Sequence, residues 1–238
     1  DVVLMRDAVG AFARGGKKFD AGEAGTVFRF LAVRLSREPG EWDIEASSRL
    51  LSRPQKGLYE LLAQLGTVVR PQKDGIRLVS RGWTITAPLR VTAHESSQFL
   101  SALLLSAWDL PTDVVILREG AMVSEGYFTM TQKIVEHFGM RVEKTPEGWR
   151  IPAKQPLKSI SFTVEPDMSS CFALAACAVV GGELQLEKFP ATSWQPDASF
   201  VSLLLKMGVS CRAEGRALVI KRAERLQPLE ADLSSTPD

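Results

Sequence analysis

The side chains with the clearest chemical potential are Ser96, Ser97 and Gln98, which stand directly before an apolar run that continues to Trp108. Either serine is typical of the residue that caps a buried helix, because its oxygen can accept from the first backbone N–H groups. Those N–H groups have no partner within the helix, and the helix dipole adds partial positive charge there. Two hydroxyls, an amide and unpaired N–H groups together favour an anion. Taken alone, the same residues also fit simple capping without a ligand.

The pattern of a hydroxyl residue followed by an apolar helix recurs along the chain. Thr26, Ser97 and Ser170 occupy equivalent places in a repeat of about 70 residues. A second marker keeps nearly the same period, namely the glycines at predicted helix-to-strand transitions: Gly66, Gly139 and Gly208. Two markers with one period predict a structural repeat. We therefore expect the helices that begin at residues 25, 96 and 169 to lie side by side with buried bodies.

Each repeat reads as strand, helix, strand, helix, strand, strand, so the predicted fold class is α/β. The predicted helices cover residues 1–14, 26–37, 54–66, 124–137 and 197–207, with two more beginning at 96 and 169. The predicted strands cover residues 42–46, 67–70, 76–79, 84–92, 113–118, 141–144, 149–151, 159–164, 183–187, 209–213 and 217–221. Residues 17–19 read as a short link.

Composition limits the classes of function that the chain could have. Of its 238 residues 45% are hydrophobic and 24% are charged, as in ordinary globular proteins. A net charge of +1 argues against a nucleic-acid or anionic-membrane partner, and no apolar run is long enough to span a bilayer. Three scattered cysteines and two histidines argue against a metal site or a disulfide framework.

Both ends of the chain fall within repeats. Residues 1–14 read as the second helix of a repeat whose beginning is absent. Thr236-Pro237-Asp238 stands one full period after Glu165-Pro166-Asp167, which precedes the third capped helix. The chain stops where a fourth repeat should begin, and this predicts a fragment of a longer protein.

The motifs, in their order along the chain, resemble those of the 3-phosphoshikimate 1-carboxyvinyltransferase (EPSP synthase) family. The matches are Ala21–Arg29 to Asn-Ala-Gly-Thr-Ala-x-Arg, Arg49 with Arg53-Pro54 to Arg-x-x-x-Arg-Pro, Ser96–Phe99 to Ser-Ser-Gln-Phe, Ser124–Tyr127 to Ser-x-x-Tyr, and Val164–Ser170 to Gly-Asp-x-Ser-Ser. The Ser-Ser-Gln-Phe and Ser-x-x-Tyr matches are the most specific of these. The resemblance covers essentially the whole chain.

The resemblance implies two similar domains of three repeats each, forming an inside-out α/β barrel. Residues 1–163 would be most of one domain, on the shikimate-phosphate side, and residues 164–238 the incomplete start of the other. The implied reaction transfers the enolpyruvyl group of phosphoenolpyruvate to shikimate 3-phosphate, without metal or cofactor. The resemblance also implies a cytoplasmic monomer with no nucleic-acid or membrane partner.

The resemblance also assigns roles to individual residues. Ser96, Ser97 and Ser124 would hold the phosphate and carboxylate of shikimate 3-phosphate, Gln98 would lie against both substrates, Tyr127 would line the shikimate pocket, Gly25 and Arg49 would contact phosphoenolpyruvate, and Asp238 would orient or deprotonate the attacking hydroxyl.

Departures from the family pattern leave a second interpretation open. Glu23 stands where the family has asparagine, and the family's Lys-Ser-x-x-x-Arg segment and later basic segments are absent. The alternative is a non-catalytic relative that binds a phosphorylated metabolite or a partner. A third possibility is the sister transferase that acts on UDP-N-acetylglucosamine. This sequence has no equivalent of that enzyme's reactive-cysteine loop. The 238-residue chain by itself is expected to be inactive.

Overall fold

The computed structural model describes residues 1–234 and divides into two compact units. The first unit comprises residues 1–123 and 131–159, and the second comprises residues 124–130 together with residue 160 onward. The helices are α1 Val2–Ala13, α2 Gly25–Ser36, α3 Ser48–Leu51, α4 Lys56–Gln64, α5 Gln98–Ser106, α6 Glu125–His137, α7 Met168–Gly181 and α8 Phe200–Lys206. The strands are β1 Lys18–Asp20, β2 Gly40–Glu45, β3 Val68–Gln72, β4 Gly75–Ser80, β5 Leu89–Thr92, β6 Val114–Glu119, β7 Glu143–Thr145, β8 Gly148–Ile151, β9 Glu183–Glu187, β10 Ser210–Glu214 and β11 Ala217–Lys221.

Two four-stranded sheets in the first unit have the same topology. One has the order β1-β2-β4-β3 and the other β5-β6-β8-β7. In each sheet the first two strands are parallel and the remaining pairs are antiparallel. The three-stranded sheet of the second unit, β10-β11-β9, is antiparallel and matches the last three strands of each copy. The repeat predicted from the spacing is thereby confirmed for the two sheets of the first unit, and the second unit shows the last three strands of a further copy.

Helices α2 and α5 pack against each other in the first unit and are buried along most of their length. This burial follows from their composition, since both helices are predominantly apolar and offer little surface to water. The expectation of buried neighbouring helices is confirmed for this pair. In the second unit α7 buries Met168, Cys171 and Ala175 against α8 and β11, but Leu174 and Val180 on its outer side are exposed. The expectation of a buried body is therefore wrong for the outer side of α7.

The structure corrects the predicted elements in two main places. Residues 17–19 are not merely a link, because Lys18–Asp20 form β1, which pairs in parallel with β2. The strand predicted at 159–164 is absent: residues 155–167 have no regular structure, and Phe162 stacks on Trp194 with ring centroids 5.7 Å apart. Alternation of apolar and polar residues favours a strand only where a neighbouring strand pairs with it. Here Phe162 packs its ring on Trp194 instead.

Smaller corrections concern the ends of elements. Pro54 precedes α4 instead of lying in its first turn, and residues 84–88 stand outside the strand that is confined to Leu89–Thr92. The helix predicted at 197–207 begins as a 3₁₀ turn, Pro196–Ser199, before α8.

Glycine is required where strands meet most closely in the two repeated sheets. A Cβ atom on Gly75 would lie 2.1 Å from the carbonyl oxygen of Ile44, and one on Gly148 would lie 2.1 Å from that of Ile116. These two glycines begin equivalent strands, β4 and β8, in the two copies of the repeat. Because each obstacle is a backbone atom in a sheet, it cannot move aside without breaking the pairing.

We expect Gly75→Ala to lower the free energy of unfolding by about 2–4 kcal/mol, the upper range for backbone strain in a buried sheet. Urea unfolding followed by circular dichroism measures this change. The matched control is Gly181→Ala, whose Cβ would have no atom within 4 Å and whose effect should stay within about 1 kcal/mol. Equal stabilities of the two variants would contradict the requirement for glycine at residue 75.

Candidate functional site

The side chain of Arg29 links α2, α5 and the segment between α3 and α4, and the residue is only 4% exposed. Its Nη1 donates to Ser96 Oγ at 3.2 Å and to Gln98 Oε1 at 2.8 Å. Its Nε donates to Gln55 Oε1 at 3.2 Å, and its Nη2 to the carbonyl oxygen of Pro54 at 3.1 Å. One guanidinium therefore ties the start of α5 to the segment that precedes α4.

The positive charge of Arg29 is held by neutral oxygens, since every acceptor of these hydrogen bonds is a hydroxyl, an amide or a carbonyl. Burial, together with repulsion from Arg53, lowers the pKa of Arg29 to about 10, and attraction to Glu95 offsets part of that effect. The group is still charged at neutral pH. An anion placed near Arg29 and Arg53 would reduce this repulsion and would be attracted to both.

The guanidinium of Arg53 lies beside the first residue of α2. A Cβ atom on Gly25, the first residue of that helix, would lie 3.1 Å from Arg53 Nη1. Next to it, Thr26 Oγ1 accepts from Gln98 Nε2 at 3.2 Å, which links this helix start to that of α5. A helix N-terminus carries unpaired N–H groups and partial positive charge, so a neighbouring guanidinium makes it a favourable place for phosphate or carboxylate.

The two serines at α5 differ in their environment. Ser97, one of the two serines predicted as the cap, is the N-cap residue, but its side chain makes no capping hydrogen bond and the residue is 3% exposed. Ser96 is half-buried, and its Oγ accepts from the backbone N–H of Gln98 at 3.2 Å. Of the two serines, Ser96 is therefore the more accessible to solvent.

Arg49, the arginine that the sequence favoured, lies on the exposed side of α3. Its Nη1 is 3.6 Å from Glu23 Oε2, and the two side chains are 83% and 64% exposed. The sequence motifs did not assign a ligand contact to Arg53 or Arg29, although both residues lie within those motifs. The available signal was an arginine flanked by Val27, Phe28, Phe30 and Leu31 in the first half of α2, because a charge among apolar residues must be satisfied by buried partners.

Two further predicted residues lie in the second unit. Ser124 precedes α6 with a φ of +53°, an uncommon conformation for a residue with a side chain. The hydroxyl of Tyr127 lies 3.0 Å from both carboxylate oxygens of Asp197, to which it donates, and Asp197 is 7% exposed. The phenol is thus anchored on a buried carboxylate. Asp238 lies outside the described residues.

Residues 1–234 contain neither a metal-binding cluster nor a membrane-spanning helix. No group of three or more histidine, cysteine, aspartate or glutamate residues in that range could hold a metal ion. None of the helices described there is long and apolar enough to cross a membrane.

The family model described as EPSP synthase (3-phosphoshikimate 1-carboxyvinyltransferase) matches residues 1–238. The chain belongs to the EPSP synthase family. It is 30% identical over 257 residues to the 3-phosphoshikimate 1-carboxyvinyltransferase of Burkholderia vietnamiensis, and 30% identical over 254 residues to that of Paraburkholderia phytofirmans. Each match takes in 100% of this chain and 58% of the relative, so the chain spans little more than half the length of these relatives.

Two solved structures share the fold of this EPSP synthase family member. EPSP synthase from Acinetobacter baumannii matches with a TM-score of 0.64 and 17% identity, over 93% of this chain and 51% of that one. The enolpyruvyl transferase NikO from Streptomyces tendae matches with a TM-score of 0.61 and 16% identity, over 84% of this chain and 48% of that one. The family suggested by the sequence motifs is confirmed.

We expect Arg53→Ala to weaken the binding of inorganic phosphate about tenfold or more, since it removes a charged donor at a helix start. The matched control is Arg49→Ala, which removes an exposed partner of Glu23 and should change the affinity less than about twofold. Calorimetric titration of phosphate into each variant measures both. A larger loss in the Arg49 variant would contradict this interpretation.

Proposed function

We propose that the protein to which this chain belongs transfers the enolpyruvyl group of phosphoenolpyruvate to shikimate 3-phosphate and releases phosphate. The observation that carries the proposal is the cluster of Arg29, Arg53, the start of α2 and the hydroxyl of Ser96, which suits phosphorylated anions. The names of the curated relatives support the same reaction. By analogy with the family, the reaction needs no metal or cofactor, and the protein is a cytoplasmic monomer.

The fold proposed for the whole protein is an inside-out α/β barrel of six repeats in two domains. Residues 1–163 would belong to one domain and residues 164–238 would begin the other. The shared order of the two sheets and the matching strands β9, β10 and β11 support this proposal.

In the proposed reaction a hydroxyl of shikimate 3-phosphate attacks the enol carbon of phosphoenolpyruvate, and a proton adds to the methylene carbon. The new C–O bond gives a tetrahedral adduct. Loss of phosphate from that carbon and of one proton from the methyl group restores the double bond. Negative charge concentrates on the phosphate that leaves, so positioned cations and N–H donors lower the barrier most.

The roles proposed for individual residues extend this scheme. Around shikimate 3-phosphate we place Ser96, Ser97, Gln98, Ser124 and Tyr127. Around phosphoenolpyruvate we place Gly25 and Arg53, whose guanidinium lies against Gly25, with Arg49 in an outer position beside Glu23. Asp238 would take the proton of the attacking hydroxyl.

One observation favours a second candidate, a non-catalytic relative that binds a phosphorylated metabolite. Glu23 places a carboxylate shortly before Gly25, where negative charge opposes a bound phosphate. The contact with Arg49 at 3.6 Å offsets part of that charge, and both side chains are largely exposed, so solvent screens the remainder.

The decisive experiment measures phosphate release from both substrates by the full-length product of the gene, purified from a host that lacks its own enzyme. Turnover that depends on both substrates supports the transferase. Tight binding of shikimate 3-phosphate without turnover supports the non-catalytic relative. Absence of both would contradict the proposal.

In the full-length protein, changing Ser96 and Ser97 together to alanine should weaken the binding of shikimate 3-phosphate about tenfold or more, because it removes the hydroxyls at this helix start, of which that of Ser96 can donate to a charged oxygen. Calorimetry measures the affinity. The control is Ser202→Ala, an exposed serine on α8. An unchanged affinity in the double variant would remove both serines from the site.

The 238-residue chain alone should release no phosphate from the two substrates above background. The electrostatic contribution to such reactions is usually the largest, and the lysine and arginine segments of the family are not in this sequence. The same release assay on the isolated chain measures this. Turnover close to that of the full-length protein would show those segments to be dispensable.

A further inference from the structure

We propose that Arg29 is a positioning residue that fixes the hydroxyl of Ser96 as a hydrogen-bond donor and holds the segment carrying Arg53 beside it. The inference rests on the proposed function, whose phosphorylated substrates would receive that donor. Arg29 itself is 4% exposed, whereas Ser96 is half-buried and Arg53 is exposed. A ligand therefore reaches the two residues that Arg29 holds and not Arg29.

The polarity of the Ser96 hydroxyl follows from its hydrogen bonds. A hydroxyl oxygen has two acceptor sites and one proton to donate. The two acceptor sites are taken by Nη1 of Arg29 and by the backbone N–H of Gln98, each at 3.2 Å. Only the O–H proton is left for a ligand, so Ser96 favours an acceptor such as a phosphate oxygen over an ammonium or another donor.

The orientation of the Gln98 amide has the same cause. Arginine has no acceptor, so the amide oxygen of Gln98 must face Arg29 Nη1. The amide nitrogen then faces Thr26 and donates to its Oγ1 at 3.2 Å. Arg29 thus determines that the amide nitrogen of Gln98, and not its oxygen, faces Thr26 at the start of α2.

On its other side Arg29 restrains the segment that carries Arg53. Its Nη2 donates to the carbonyl oxygen of Pro54, the residue that follows Arg53. Its Nε donates to Gln55, whose Nε2 donates in turn to the carbonyl oxygen of Leu50 at 3.2 Å. The distance between the Arg53 segment and Ser96 is therefore set through one planar group.

A lysine could not reproduce this arrangement. The guanidinium directs donors from three nitrogens in one plane, whereas an ammonium is a single point of charge on a flexible chain. Arg29→Lys keeps the charge and removes the fixed directions. The substitution therefore separates positioning from charge.

The test is a double-mutant cycle on the 238-residue chain, with inorganic phosphate as the probe in calorimetric or NMR titrations. In the unaltered chain Ser96→Ala should weaken phosphate binding about five- to tenfold. In the Arg29→Lys background the same change should have less than about a twofold effect, since Ser96 is no longer restricted to donating. Independent effects that simply multiply would overturn the proposal, and so would the absence of phosphate binding to the unaltered chain.

A second measurement needs no variant and holds even if Arg29→Lys does not fold. With ¹⁵N-labelled arginine in the unaltered chain, the Nε–H signal of Arg53 should move on addition of phosphate, while that of Arg29 should move little and exchange slowly. A shift of the Arg29 signal as large as that of Arg53 would mean that Arg29 contacts the ligand, which would overturn the positioning role.

Failure of this inference is distinguishable from failure of the proposed function. Coupling between Arg29 and Ser96 with phosphate, but no preference for shikimate 3-phosphate and no turnover by the full-length protein, would uphold the inference and reject the transferase. Turnover by the full-length protein with no coupling would do the reverse.

Discussion

The first unit depends on a positive charge buried between helices. The guanidinium of Arg29 lies between α2, α5 and the segment before α4, and its hydrogen bonds are to neutral oxygens. Removing a charge from water is costly unless many hydrogen bonds replace the lost solvent, and an apolar residue would avoid that cost. What an apolar residue could not do is hold several separate polar groups in fixed directions near the starts of two helices. The hydrogen bonds that replace the lost solvent therefore also fix the directions of Ser96, Gln98 and the carbonyl of Pro54.

Much of the fold could be predicted because the repeat is marked by residues whose preferences are local. Hydroxyl residues at helix starts and glycines at helix ends depend only on neighbouring backbone, so their period predicted the shared topology of the two sheets. The errors fall where a strand is defined by its partner. The residues of β1 are a strand only because β2 lies parallel to them, and residues 159–164 alternate like a strand without pairing. Sequence patterns describe a segment but not the partner that it meets.

The candidate site was predictable in part for the same reason. Ser96, Gln98 and Gly25 mark helix starts, which the sequence reveals directly. The choice among arginines was not predictable, because Arg49 and Arg53 lie close together in one motif and differ only in what the tertiary structure places beside them. Arg53 lies against Gly25, whereas Arg49 is exposed beside Glu23. Arg29 was hidden by its surroundings, since an arginine in an apolar helix reveals its partners only after the helices have packed.

The charged side chains around Arg29 and Arg53 determine whether the candidate site attracts an anion. Arg29 and Arg53 are both positive, and Glu95, whose carboxylate accepts from the backbone N–H of Gly57 at 3.1 Å, offsets part of the effect of burial and of Arg53 on the pKa of Arg29. Arg49 Nη1 and Glu23 Oε2 lie 3.6 Å apart, and because both side chains are largely exposed, solvent screens their charges. The carboxylate of Glu23 is close to this neighbouring arginine. Arg53 instead lies against Gly25, so it is the arginine that an anion at the start of α2 would meet.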